Sequence, residues 1–366
     1  MTKNFFFLTT MCFLSAVFCL AQKPETSKPA PVIYFTDLYH PHGDPDDHFD
    51  LACLFSLAEQ GYIDIKGVVI DYPPQFRRGD PALAAVAQLN RICALNVPTI
   101  VGCSTLPAKK GDTLPNLSKR DAASINWIIE TLRKSGQPVA MVIVGSATDV
   151  AVAAKREPEL FRQKCSSIYL NSGATHQPKP EMLEWNVKLN PAAYSTLFEL
   201  TCPLYWFPCW SMCEERKSGE WGTFYWLPHS TAFDGVSIPA KHYFWFMFSR
   251  SSEPFYLRNL MNDVPADDWN KILKDRRGMW STASLLTLAG QTVTKTGKIV
   301  PIGEAGGEKL YQMEPVKVLT EDNGRVKWEQ TNEKTQISVF HVLDVPAYPD
   351  AMSTAVQTLL RKLPEF

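Results

Sequence analysis

The stretch VIYFTDLYHPHGDPDDHFDLACLF, residues 32–55, decides the fold. Val32–Thr36 is an apolar run that reads as a buried strand, and the pattern from Asp47 to Glu59 reads as a helix. Asp44 at the N-cap, Pro45 at the first helical position and acids behind it make an ordinary helix start that suits the dipole. Asp37 changes the weight of this pattern. It closes the strand and sets a third carboxylate beside Asp46 and Asp47. Three carboxylates converging at one sheet edge repel one another unless a cation lies between them, and oxygen-only ligands suit calcium or magnesium.

Outward from this stretch, apolar runs alternate with amphipathic ones. Strands are expected at Val32–Thr36, Ile65–Ile70, Pro98–Val101, Val139–Val144, Ser167–Asn171 and Leu204–Phe207. Helices are expected at Asp47–Glu59, Pro81–Ala94, Asp121–Lys134, Thr148–Arg156 and Pro191–Leu200. Such alternation implies an α/β fold with a mostly parallel sheet covered on both faces, its ligands outside the carboxyl ends of the strands. After Trp206 the chain is aromatic-rich (WFPCW, FYW, YFWFMF) and is expected to form loops and helices over the site. YQMEPVKVLT and KTQISVFHVL flank the turn EDNG and predict a small C-terminal β-hairpin, followed by a last helix over about Tyr348–Lys362.

The 37 Lys and Arg nearly balance the 38 Asp and Glu, leaving a formal charge of −1, and 45% of the 366 residues are hydrophobic. This excludes a disordered chain and argues against a nucleic-acid polymer as partner. Residues 1–21, MTKNFFFLTTMCFLSAVFCLA, read as a cleaved signal peptide: Lys3 precedes an apolar run, and Cys19 and Ala21 precede the cut. A retained anchor is the alternative, since the run approaches spanning length. Residues 22–31 read as a Pro-rich linker and 32–366 as the folded domain, in a secreted or periplasmic protein with no stable membrane span after cleavage. Seven cysteines then remain. Cys53 and Cys93 fit core thiols, and a disulfide is expected among Cys202, Cys209 and Cys213. No fourth ligand at a zinc spacing is present.

Three segments, in order, resemble one family. The opening run is similar to the N-terminal signature of the inosine–uridine nucleoside hydrolases, an Asp-x-Asp strand end followed by an Asp-Asp pair opening a helix. VIVGSATDVAVAAKREPEL is similar to that family's G-P-L-T-N-x-A region with its trailing P-E-L, and EWNVKLNPAA to its E-F-N-x-x-x-D-P-E-A-A. FHVLDVPAYPDAMSTAVQTLL also fits, so the resemblance covers roughly Val32 to Leu360. It implies a nucleoside-hydrolase-like, Rossmann-like sheet. It also implies a metal-dependent hydrolase of N-glycosidic bonds, with calcium or another divalent metal as cofactor, a small nucleoside or sugar as substrate, and a homo-oligomer. On the matching positions, Asp37 would be general base and metal ligand, Asp47 a metal ligand and Thr148 a ligand through its carbonyl. Asp46, Glu184 and Asn186 would hold the sugar, the last two on one side of an extended segment with Trp185 pointing away.

The sequence departs from the family at four points. Phe35 stands where the leading aspartate belongs, and the loop after Asp37 is longer and carries His40, His42 and Asp44. Trp280 and Ser281 stand where a late His-Asp pair belongs, and Asp71 replaces an Asn. Ser281 or Thr282 can offer the metal a neutral oxygen, and Asp275, Asp44 or Asp71 a charge. Imidazoles of His40 and His42 suit a softer metal, or else form an exposed loop pair. Trp280 suits stacking on a base or sugar, or a place in the core. His48 is expected at the surface, and His176, His229 and His242 near site-facing loops. Two alternatives to nucleoside hydrolysis follow: a member that binds a carbohydrate or nucleoside without cleaving it, and a hydrolase of another glycoside. A serine hydrolase lacks its G-x-S-x-G.

Overall fold

A computed structural model describes residues 28–41, 45–72, 79–179, 181–213 and 215–365. The signal segment, His42 and Asp44 lie outside the described residues. Nine strands make the central sheet: β1 (Ala30–Thr36), β2 (Ile63–Ile70), β3 (Thr99–Val101), β4 (Val139–Ile143), β5 (Cys165–Asn171), β6 (Leu204–Phe207), β7 (Tyr311–Thr320), β8 (Val326–Gln330) and β9 (Ile337–Val342). Their spatial order is β8-β7-β9-β6-β5-β4-β1-β2-β3. From β3 through β9 every neighbouring pair is parallel; β7 runs antiparallel to both β9 and β8.

The central strands are buried because both faces are covered. Along β1, Val32 and Tyr34 join one apolar cluster while Ile33 and Phe35 join the other, as the two-residue period of a strand requires. Helices Asp46–Glu59, Leu83–Ile92, Ile238–Phe248 and Tyr348–Leu360 contribute to the first cluster. Helices Ala122–Lys134, Thr148–Arg156 and Pro191–Leu197 contribute to the second. Phe35 therefore belongs to the core and leaves Asp37 as the acid at the end of β1. No helix among the described residues is long and apolar enough to cross a membrane.

The order places a crevice. The chain moves outward from β1 to β2 and β3, then returns to add β4 on the other side of β1. Loops leaving β1 and β4 diverge there, which is where open α/β sheets bind ligands. Asp37 follows β1, and Val144 follows β4.

Three expectations are corrected. The hairpin at EDNG forms, but its return strand is Val326–Gln330; Ile337–Val342 pairs antiparallel with β7 as expected, but on its other edge, and joins it to β6, because its apolar residues can be buried there. No disulfide joins Cys202, Cys209 or Cys213: all seven described cysteines are free and buried, with Cys202 turned toward Cys165. His48 is buried against the Tyr243 ring, whose hydroxyl donates to the His48 carbonyl at 3.2 Å.

Candidate functional site

A cavity of about 700 Å³ opens at the crevice, within the range of small-molecule sites. Asp37, Asp46, Asp47, Glu184 and Asn186 line it on the sheet side. Trp185, Trp210, Phe224, Trp226 and Trp280 add aromatic surface, and Arg216, Arg276 and Arg277 add positive charge. The two-stranded ribbon of Tyr225–Pro228 and Arg276–Met279 supplies Trp226 and Arg277 and leads into Trp280.

Each acid of the opening motif has its own partner. The Asp37 Oδ2 accepts the Trp185 indole N–H at 2.9 Å. Thr36 Oγ1 donates to Asp47 Oδ1 at 3.0 Å. Burial first, and Asp37 second, push the Asp47 carboxyl well above its usual range. Asp46 Oδ1 accepts Arg277 Nη2 at 2.6 Å and Nε at 3.2 Å. Burial and Asp47 push the Asp46 carboxyl up, whereas the ion pair favours its ionised form. The pair decides, because burial lowers Arg277 only to about 10 and the guanidinium stays charged at neutral pH. Gly145 lets the β1 and β4 ends close on each other: a Cβ there would lie 2.6 Å from the Asp37 backbone nitrogen.

Glu184 is the N-cap of the short helix Trp185–Leu189. It accepts from the backbone N–H groups of Gly173 (2.8 Å), Asn186 (3.0 Å) and Val187 (3.3 Å), and from Ser172 Oγ (3.3 Å). Burial raises its carboxyl, and these donors oppose the rise. The cap corrects the extended reading of this segment. A helical turn does not alternate its side chains, so Trp185 faces the cavity rather than away. Asn186 Nδ2 donates to the carbonyls of Val144 and Asn171, both at 3.0 Å, tying the β4 and β5 ends together.

Of the other expected residues, Trp280 and Ser281 line the cavity. Thr148 does not: it opens the helix Thr148–Arg156, is buried, and its carbonyl belongs to that helix's ladder. The cavity wall at this loop is Val144. Asp71 accepts from the Ser146 N–H and lies off the wall, whereas Asp275 is on it. His40 stacks on Phe246, and His176, His229 and His242 are not among the lining residues.

Sequence reasoning missed Trp185, Arg277 and Asp50. The spacing DDHFD was the available signal for Asp50, since residues three and four apart share a helix face. Asp50 is only 1% exposed and accepts Thr282 Oγ1 at 2.9 Å, which also pairs with the Tyr225 hydroxyl at 3.1 Å; Ser281 bonds to it as well. Burial pushes its carboxyl up to about 7. The folded chain therefore keeps this proton where the unfolded chain has lost it, so Asp50 reduces stability as pH rises from about 4 through about 7. Asp50→Asn is expected to melt progressively closer to, or above, the parent protein as pH rises from about 5 to about 8. A melting-temperature difference that stays constant over that range would count against this.

The donors do not fit the calcium site implied by the resemblance. Calcium takes six to eight oxygen ligands. Among the described residues no three His, Cys, Asp or Glu side chains are grouped as a metal ion needs. Asp37, Asp46, Asp47 and Asp50 also accept from Trp185, Arg277, Thr36 and Thr282, and the Asp37 and Asp47 carboxyls lie within hydrogen-bond reach of each other.

Solved structures share the fold. A plant nucleoside hydrolase, PpNRh1, is 15% identical with a TM-score of 0.54, over 92% of this chain and 100% of that one. The type III effector XopQ, solved with adenosine diphosphate ribose, is 14% identical with a TM-score of 0.52, over 92% and 94%. A purine-preferring ribonucleoside hydrolase from Gardnerella vaginalis is 15% identical with a TM-score of 0.51, over 90% and 99%. No curated protein matches the chain by sequence. Residues 32–257, carrying the acidic strand end, the capped Glu184 turn and most of the cavity wall, match the family described as inosine-uridine preferring nucleoside hydrolase, and the chain belongs to that family.

Proposed function

We propose that this protein hydrolyses an N-glycosidic bond of a ribonucleoside-type ligand, with Asp37 taking the proton of the attacking water. The observation that carries this reading is the place of Asp37: buried at the carboxyl end of β1, on the cavity wall, with one oxygen oriented by the Trp185 N–H. Cleavage passes through a flattened, oxocarbenium-like sugar, and a positioned carboxylate can serve as base toward water. Asp46 and Asn186 line the same cavity and would meet the sugar hydroxyls, and Glu184 holds the turn that presents Trp185 and Asn186. Trp226 and Trp280 offer flat surfaces for the leaving base. Residues 1–21, as a cleaved signal, would place this activity outside the cytoplasm.

Binding without cleavage is the second reading. It is favoured by the Asp46–Arg277 ion pair, which occupies an oxygen that a sugar hydroxyl would otherwise use. The signal-free protein should be assayed against inosine, uridine, aryl ribosides, other aryl glycosides and adenosine diphosphate ribose. Release of free base or aglycone is expected. Saturable ligand binding by calorimetry with no release from any compound would establish the second reading instead.

A further inference from the structure

We propose that the guanidinium of Arg277, rather than a divalent cation, is the resident counter-charge of the acidic floor, so that this protein holds its site together without a bound metal. Arg277 enters from the ribbon strand Arg276–Met279, opposite Leu227, and reaches Asp46 at the first turn of the helix that follows β1. Both side chains are largely shielded, at 24% and 15% exposed, so the pair acts where water screens it poorly. Arginine suits this task because its charge survives burial and its fork of donors matches a carboxylate.

The neighbouring acids accept from neutral donors. Thr36 donates to Asp47, Trp185 to Asp37 and Thr282 to Asp50. A cation at this edge would share the acids with those donors and lie beside a fixed positive charge. The residue types at the edge point the same way. Trp280 and Ser281 follow Arg277 on the chain and bring no carboxylate to the wall. Asp50 supplies a fourth acid, but it is buried beneath the wall and satisfied by Thr282 and Ser281.

Removing one partner of a shielded ion pair leaves an uncompensated charge, and a cation is then the simplest replacement. The proposal concerns the same cavity as the hydrolytic reading but does not depend on turnover, because its readouts need no substrate. The signal-free protein, purified without chelator, should carry substoichiometric divalent metal by elemental analysis. Its melting temperature should be unchanged by EDTA or by added calcium or magnesium chloride. Arg277→Met is expected to melt lower, by roughly 4 °C or more, and to recover part of that loss on adding calcium. Arg277→Lys keeps the charge and should remain indifferent to the metals, which preserves the comparison if the Met variant fails to fold. About one tightly held divalent ion per parent chain would overturn the proposal. A parent melting temperature that falls in EDTA, or a Lys variant that gains metal, would do the same.

Discussion

Replacing Asp37 by Asn is expected to lower turnover of whichever glycoside the protein cleaves by about 10²- to 10⁴-fold, the usual contribution of a positioned base. The loss should appear in kcat rather than in KM, because a base acts on the water and not on ground-state binding. The shape of the side chain is kept, and the Asn oxygen can still accept the Trp185 N–H now bonded at 2.9 Å. Stability should therefore hold or rise. Asp37 stands beside Asp47, whose carboxyl it helps push up, so removing one charge relieves repulsion. A variant that is as stable as the parent and nearly inactive would separate the role of Asp37 from any part in folding. Turnover within a few-fold of the parent would remove Asp37 as the base.

Glu184→Ala should give the largest loss of stability among changes at the cavity, about 2–4 kcal/mol, or roughly 3–6 °C in melting temperature. Glu184 is only 5% exposed, and its carboxylate accepts three backbone N–H groups and the Ser172 hydroxyl. Truncation leaves those donors without a partner in a place water reaches poorly, and an orphaned buried donor costs more than a hydrogen bond contributes. The turn also sets Trp185 and Asn186, so ligand affinity should fall together with stability. Glu184→Gln keeps one acceptor oxygen but turns an NH2 group toward donors, and it should lie between the two. An unchanged melting temperature for Glu184→Ala would show that the turn is held by its surroundings rather than by the cap.

The strand–helix alternation was legible because both signals are local. A strand of Val, Ile, Tyr and Phe buried on two faces has few competing readings, and β1, β4 and β5 fall within a residue or two of where periodicity sets them. The C-terminal hairpin was half legible. EDNG announces a turn, but which later segment pairs with which depends on the vacant edge beside β6, a matter of distant packing. The Glu184 segment was misjudged for a related reason. Nothing local in EWN distinguishes a strand from a helix cap; Glu184 caps its own turn through the Asn186 and Val187 N–H groups, and Gly173 and Ser172 from the end of β5 hold the same carboxylate.

The family, the parallel sheet and the meeting of Asp37, Asp46 and Asp47 at one edge can be read along the chain. The family was legible through the resemblance of three ordered motifs, the sheet and the acid cluster through side-chain period and short spacings along the chain. What balances the acids is set by contacts distant in sequence. Arg277 lies 231 residues from Asp46, Trp185 lies 148 from Asp37, and Thr282 lies 232 from Asp50. Charge compensation depends on distance in space, and at these separations only the folded chain brings the partners together.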